Sequence, residues 1–437
     1  MSINSSEKLV IVGQTPLRGE VSIAGAKNAV LKHMAAALLA KDVSVICNVP
    51  ELTDVQIMLD VLNELGAKTD YNKDEKIVTI DATNLTSVVA PDELVSKMRA
   101  SFVVLGSLIG REKEAVVALP GGCAIGARRV NFHLKGIEAL GGECKIVDGY
   151  VHAKAKKLVG ADICLDIPSV GATENIMLAA VLAEGVTHIQ NCAQEPEIVD
   201  LANFLKAMGA DIQGAGTNQI TVTGVKQEQL HGAHYTTIPD RIEAGTYMSA
   251  IIATRGKGII KNIFPNHLTI FTGKLLEMGT KIKILEPNTI EVSAQGRLNA
   301  ENFITQPYPG FPTDLQALAM VLLSTANGVS VVTESLYENR FMHINELWKM
   351  GANIKQDKNH AIIKGVENLV GTQVSSTDLR AGAALVVAGL MAIGESEVNA
   401  LHHIDRGYEK FVDKLKGLGA KIERVKEFDR SLHDAKI

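Results

Sequence analysis

Six stretches of the chain are apolar on nearly every side of a helical projection: residues 25–40 (GAKNAVLKHMAAALLA), 97–110, 169–185, 240–256, 311–328 and 378–394. A helix with no polar face belongs inside a protein rather than on its surface. Each stretch runs into a short β-like segment: VSVICNV, AVVALPG, VTHIQN, GIIKNI, VSVVTE and SEVNAL. A second, shorter helical pattern follows each time. It ends in Leu or Met, then Gly, then a small residue and an extended run, as in NELGAKTD and KGLGAKIER. The glycines of this ending are Gly66, Gly141, Gly209, Gly279, Gly351 and Gly419, spaced 68 to 75 residues apart. A glycine there predicts a left-handed helix cap leading into a strand. Recurrence at a fixed period predicts one supersecondary unit used six times. The unit reads as βαβαββ, and the fold class as α/β.

Because these helices are otherwise apolar, their polar residues carry the information. They gather near the helix starts: Lys27, Asn28, Arg99, Ser169, Asp240, Arg241, Asp314 and Arg380, with Arg128, Glu195, Arg340 and Arg406 at the starts of the second helices. Ordinary N-capping accounts for Asp240 and Asp314 as readily as chemistry does. It does not account for arginines, since a cation at a helix N-terminus opposes the dipole unless an anion joins it. Several such cations at one pole predict an anion-attracting cleft. A lysine at a helix start is usually solvated. The alanines beside Lys27 and the apolar helix after it instead direct it into that cleft.

Composition narrows the picture. Hydrophobic residues make up 46% of the 437 residues and aromatics only 4%, so the cores are built from aliphatic side chains. Net charge is -5 with no run of Lys or Arg, which argues against nucleic-acid and membrane-surface partners. Residues 381–394, the most apolar run, fall short of the roughly 20 a membrane span needs. No secretory leader is visible at the start, and five cysteines without CxxC spacing predict a reducing, cytoplasmic setting and no zinc site. Cys47, Cys144, Cys164 and Cys192 read as small core residues. Cys123 differs: it lies in LPGGCAIGARR, among Gly121, Gly122 and Gly126 and next to Arg128 and Arg129. Glycines free the backbone and the arginines favour a thiolate, so Cys123 is the candidate reactive thiol.

Ten motifs now stand in order: GAKNA (25–29), MRAS (98–101), PGGCAIGAR (120–128), SVGAT (169–173), EPEIVD (195–200), PDRIEAGT (239–246), FPTD (311–314), ENRFMH (338–343), DLRA (378–381) and HIDRGYE (403–409). In this order the chain resembles the enolpyruvyl transferase family, specifically the bacterial branch of peptidoglycan synthesis that acts on UDP-N-acetylglucosamine. The likeness runs from Leu17 to Val425. It implies an inside-out α/β barrel architecture in two domains, with six repeats, three per domain, helices inside and sheets outside. One domain would comprise residues 26–238, and the other 1–25 with 239–437. It implies phosphoenolpyruvate and UDP-N-acetylglucosamine as substrates, no cofactor, no metal and no obligate protein partner.

By motif position, the resemblance makes Asp314 the group that orients or deprotonates the acceptor hydroxyl. Cys123 becomes the general acid, and a residue that can form an adduct with phosphoenolpyruvate. Lys27, Arg128 and Arg406 would hold the phosphate, and Arg340 and Arg380 the carboxylate, with Arg99 in support. Asn28 would meet the sugar, while Ser169, Val170, Gly171 and Leu336 would complete the substrate contacts. The chain departs from the family at Arg129, Asn131 and Phe132, at Ile167 and Pro168 where a lysine is usual, and at Leu318. These departures fall on the nucleotide side. They leave open a different hydroxyl acceptor, and, as another class, a non-catalytic nucleotide-binding paralogue.

Overall fold

The structure is a computed structural model that describes residues 7–121, 125–126 and 130–426. The six apolar stretches form helices α1 (Lys27–Ala37), α2 (Val104–Glu112), α3 (Val170–Ala180), α4 (Arg241–Ala253), α5 (Gln316–Leu323) and α6 (Leu379–Met391). They are buried on all sides; every residue of α5 is buried. Side-chain caps start three of them. The Asp240 carboxylate accepts from Ile242 N at 2.8 Å, Asp378 from Arg380 N at 2.8 Å, and Ser169 Oγ from Ala172 N at 3.4 Å. The Arg99 segment differs from expectation: it forms a 3-10 turn, Arg99–Val103, before α2 begins.

All six glycines of the shorter helices have φ between 87° and 100°. At the first, Ala67 N donates to Leu62 O at 3.0 Å, closing the turn in the way a left-handed glycine permits. Gly106 serves a different need. A Cβ there would lie 2.4 Å from Asn175 O, so α2 and α3 approach more closely than any side chain allows.

Among the described residues there are six four-stranded sheets. In one, Asp162–Cys164 pairs in parallel with Val186–Gln190, which is antiparallel to Gln219–Thr223, itself antiparallel to Asp211–Gln213. Three sheets are completed from far along the chain. His234–Thr236 joins Val43–Cys47, Arg18–Ser22 joins Lys257–Lys261, and Glu7–Val12 lies between Glu395–Asn399 and Lys421–Lys426. Strands alternate between buried and outward positions, which leaves Val186, Val329 and Val331 exposed. Cys192 is a small core residue as expected. Cys164 is not: it ends an edge strand and is exposed.

Buried apolar residues fall into two clusters. One draws on Val30 through Ala233; the other combines Leu9–Ile23 with Ile242 onward. The chain passes between them twice, and the two passages are bonded to each other. Ala26 N donates to Ile238 O at 2.7 Å, Asp240 N to Ala24 O at 2.9 Å, and Lys27 N to Asp240 Oδ2 at 3.2 Å. Gly25 sits at this crossing, where a Cβ would stand 1.7 Å from Asn48 O. Among the described residues no helix is long and apolar enough to cross a membrane. Gly25→Ala is expected to lower stability by about 1–3 kcal/mol through this clash. Chemical denaturation reads it, and a wild-type midpoint would mean that the crossing relaxes freely.

Candidate active site

A cleft of about 450 Å³ lies between residues of the two clusters, within the size range of small-molecule sites. The helix starts line it. Lys27 and Asn28 come from α1, Arg99 from the turn before α2, and Ser169, Val170 and Gly171 from the start of α3. From the other cluster come Arg241, Asp314, Leu336 and Arg406. Arg340 and Arg380 do not line the cleft themselves. They stand behind Asp314, whose Oδ1 accepts from Arg340 Nη2 at 2.8 Å and whose Oδ2 accepts from Arg380 Nε at 3.1 Å. Asp314 thus pairs with arginines rather than capping a helix; it lies in a 3-10 turn that precedes α5. Cys123, Arg128 and Arg129 lie outside the described residues. Beside them, Ile125 O accepts from Asn339 N at 3.0 Å, which ties that segment to the stretch carrying Arg340.

A second carboxylate organises the other wall. Asp54 Oδ1 accepts from Arg406 Nε at 2.8 Å and its Oδ2 from Lys27 Nζ at 3.2 Å. Asp54 is 1% exposed. Burial pushes its carboxyl up, but Lys27 and Arg406 prevail and hold it below the usual range. The Lys27 ammonium is shifted down, by burial first and by Arg380 and Arg406 next, against the pull of Asp54. Arg406 ends a 3-10 turn, Leu401–Arg406, instead of starting a helix, so the dipole does not oppose it. Among the described residues, Arg340 and Arg380 each keep a buried Nη1 without a hydrogen-bond partner.

Further carboxylates continue along the cleft. Glu197 accepts from Arg241 Nε at 3.0 Å, and the Arg241 guanidinium lies 5.4 Å from the Tyr308 ring centre. The Glu195 carboxyl is pushed up to about 7, chiefly by burial, which suits proton exchange near neutrality. Lys32 and Glu174 form a buried ion pair at 3.1 Å. His133 is held at a defined tautomer. Asn175 Oδ1 accepts from Gly106 N at 2.6 Å, so its amide nitrogen, 2.7 Å from His133 Nδ1, donates, and the ring proton sits on Nε2.

Of the residues that the helix-start pattern picked out, Lys27, Asn28, Arg99, Ser169, Glu195, Arg241, Asp314 and Arg406 line the cleft; it did not pick out Asp54, Lys32, Glu174 or His133. Asp54 occupies the first turn of Thr53–Glu64, a second-helix start of the kind already singled out, so the same pattern pointed to it. Lys32 and Glu174 are charges inside apolar stretches, a signal present in the sequence and passed over. His133 carried no such mark.

Known proteins resemble the chain along nearly its whole length. The family described as EPSP synthase (3-phosphoshikimate 1-carboxyvinyltransferase) matches residues 11–415. The chain is 54% identical over 422 residues to UDP-N-acetylglucosamine 1-carboxyvinyltransferase 2 of Carboxydothermus hydrogenoformans, covering 96% of this chain and all of the relative. It is 50% identical over 417 residues to UDP-N-acetylglucosamine 1-carboxyvinyltransferase 1 of Caldanaerobacter subterraneus subsp. tengcongensis, covering 95% of this chain and 99% of that one. Among solved structures, the enolpyruvyl transferase NikO from Streptomyces tendae superposes with a TM-score of 0.88 at 25% identity, over 97% of this chain and all of that one.

Burial, then Arg99 and Lys32, depress the His133 imidazolium to about 3, against an ordinary 6.5. The folded state therefore binds fewer protons here than the unfolded chain. The stability this neutral ring contributes is whole above pH 6.5 and is lost as pH falls from there towards about 3, at up to about 1.4 kcal/mol per pH unit. Unfolding midpoints measured from pH 7 to 4 should fall accordingly, and less steeply in His133→Gln. Equal slopes would show that His133 protonates without cost.

Proposed function

The chain belongs to the EPSP synthase family of carboxyvinyltransferases, and from that premise we propose that it transfers the enolpyruvyl group of phosphoenolpyruvate to the 3-hydroxyl of UDP-N-acetylglucosamine, releasing phosphate. The acceptor follows the relatives that match nearly end to end, rather than the 3-phosphoshikimate of the family description. We read the architecture as two inside-out α/β domains, 26–238 and 1–25 with 239–437, each built of three βαβαββ units. The two apolar clusters support that division. The setting we propose is the cytoplasm.

One observation carries the reading: two carboxylates, Asp314 and Asp54, face one cleft, each holding two cations. In the reaction the sugar hydroxyl oxygen bonds to C2 of phosphoenolpyruvate, and Asp314 takes the hydroxyl proton. C3 gains a proton from the Cys123 thiol, which gives a tetrahedral phospho-intermediate. The C2–O bond to phosphate then breaks, the electron pair leaving with phosphate and the proton on Asp314 passing to it, while C3 returns a proton to the thiolate and the enol double bond re-forms. Lys27 and Arg406, with Arg128, hold the phosphate. Arg340 and Arg380, which stand behind Asp314, turn from it towards the cleft to receive the carboxylate. Such fixed charges stabilise the charge that develops at C2 and on the departing phosphate. Asn28, Ser169, Val170, Gly171 and Leu336 contact the acceptor, and Arg99 supports the carboxylate end; all six line the cleft.

A second reading, a different hydroxyl acceptor, is favoured by one observation: Phe132, Ile167 and Pro168 line the nucleotide side. Phosphate release from phosphoenolpyruvate, assayed with a panel of UDP-sugars, separates the two. UDP-N-acetylglucosamine should be turned over, and release with none of the panel would sink the proposal. Asp314→Asn and Cys123→Ala are each expected to lower kcat by about 10²–10⁴, with acceptor binding retained by titration calorimetry. A variant with unchanged kcat removes that residue from the mechanism.

A further inference from the structure

We propose that Lys32, in the interior of α1, is a binding residue for the diphosphate of the nucleotide acceptor, with Glu174 as its resident counter-ion. The inference rests on the acceptor reading above and adds to it a cation that the helix-start pattern did not include.

Lys32 follows Asn28 by four residues, so the two share a face of α1, and both line the cleft. The rest of α1 from Ala29 onward is aliphatic or buried, which makes a lysine here costly to fold around. Its ammonium is held by Glu174 Oε2 at 3.1 Å. That pair is a poor stabilising device. Glu174 is 1% exposed, and its other oxygen, Oε1, has no hydrogen-bond partner among the described residues. Burial drives its carboxyl upward, with Lys32 opposing and Glu197 adding to the rise. Well-packed apolar side chains in place of a buried, half-satisfied ion pair are neutral or better for stability. The pair therefore points to a role other than holding the fold.

Its surroundings say what that role is. Glu174 lies three and four residues beyond Gly171 and Val170 on α3, on their face of the helix. Through Glu174 the Lys32 ammonium is tied to the α3 face that begins one helical turn earlier at Val170 and Gly171, whose amides precede any intrahelical bond, and all of these residues line the same cleft. The His133 Nε2–H adds a donor beside them: a Cβ on Gly171 would sit 3.3 Å from that nitrogen. Amides, a neutral imidazole N–H and an ammonium lining one cleft suit two adjacent phosphates better than one small anion.

The test uses the full-length protein and two probes, UDP and uridine, by titration calorimetry. Lys32→Met alone would leave Glu174 buried without its partner, so the decisive variant is Lys32→Met with Glu174→Gln, which removes both charges and keeps both shapes. Wild type should prefer UDP over uridine. The double variant should bind uridine within about twofold of wild type and lose about 10- to 100-fold of the preference for UDP, the worth of one hydrogen bond to a charged group. Lys32→Arg should retain most of the preference. In turnover assays the KM for the acceptor should rise while that for phosphoenolpyruvate holds. A double variant that keeps the wild-type ratio of UDP to uridine affinity overturns the role of Lys32 and leaves the acceptor reading standing. A wild type that binds neither probe overturns the acceptor reading and this inference with it.

Discussion

The cleft brings together cations that repel one another: Lys27 from one apolar cluster, and Arg406, Arg380, Arg340 and Arg241 from the other. They coexist because carboxylates are interleaved among them. Asp54 takes Lys27 and Arg406, Asp314 takes Arg340 and Arg380, and Glu197 takes Arg241. Two of these pairings, Asp54 with Arg406 and Glu197 with Arg241, join a residue of the segment that carries one apolar cluster to a residue of the segment that carries the other. The same charges that would capture an anion therefore help hold the two halves of the molecule at this separation. A ligand with its own negative groups competes with Asp54 and Asp314 for the arginines. Its binding and the approach of the two halves draw on one set of interactions.

Such a site needs a scaffold that does not yield, since a buried charge tolerates little misplacement. The apolar helices provide it. Burial of α1 and α3 to α6 on all sides leaves them no freedom to rotate, and each carries its functional side chain within its first turn or just before it. Caps secure three starts: Asp240 for α4, Asp378 for α6 and Ser169 for α3. Asp240 serves twice, since it also accepts from the Lys27 amide at the chain crossing. The position of the proposed phosphate-binding lysine is thus tied by one side chain to the start of a helix in the other half.

The legibility of this arrangement in the sequence follows from what makes a pattern readable. All-apolar helices and periodic glycines are signals of burial and of positive φ, and both are local properties of a chain. The helices and the capping glycines appeared where the pattern put them. Residues at helix starts were readable for the same reason, because an arginine opposing a dipole is a local anomaly. The pairing of Asp54 with Arg406 was not readable, since it joins residues 352 positions apart and depends on how two halves meet. Arg99 and Arg406 were placed on the right segments but in the wrong local geometry. Short 3-10 turns have no periodicity from which to infer them. The outward face of Cys164 reflects its edge strand, a property of sheet order that the sequence does not express.

The charges inside apolar stretches deserve a different weight from those at helix ends. A terminal charge has water, a dipole or a cap to account for it, and several explanations compete. An interior lysine opposite an interior glutamate has fewer. Lys32–Glu174 and Arg241–Glu197 stand as two ion pairs along the wall from the start of α3 towards Asp314, with the two glutamates facing each other in like charge. A cation can exchange its partner for a ligand oxygen at least cost where the carboxylate it releases remains next to a second cation. Asp54 and Asp314 each have that second cation. Glu174 has Lys32 as its cation and, among the described residues, no hydrogen bond on its other oxygen. A diphosphate that drew Lys32 wholly away would strand that buried charge at a cost of about 3–5 kcal/mol, so the ammonium meets the ligand while Glu174 stays within its reach.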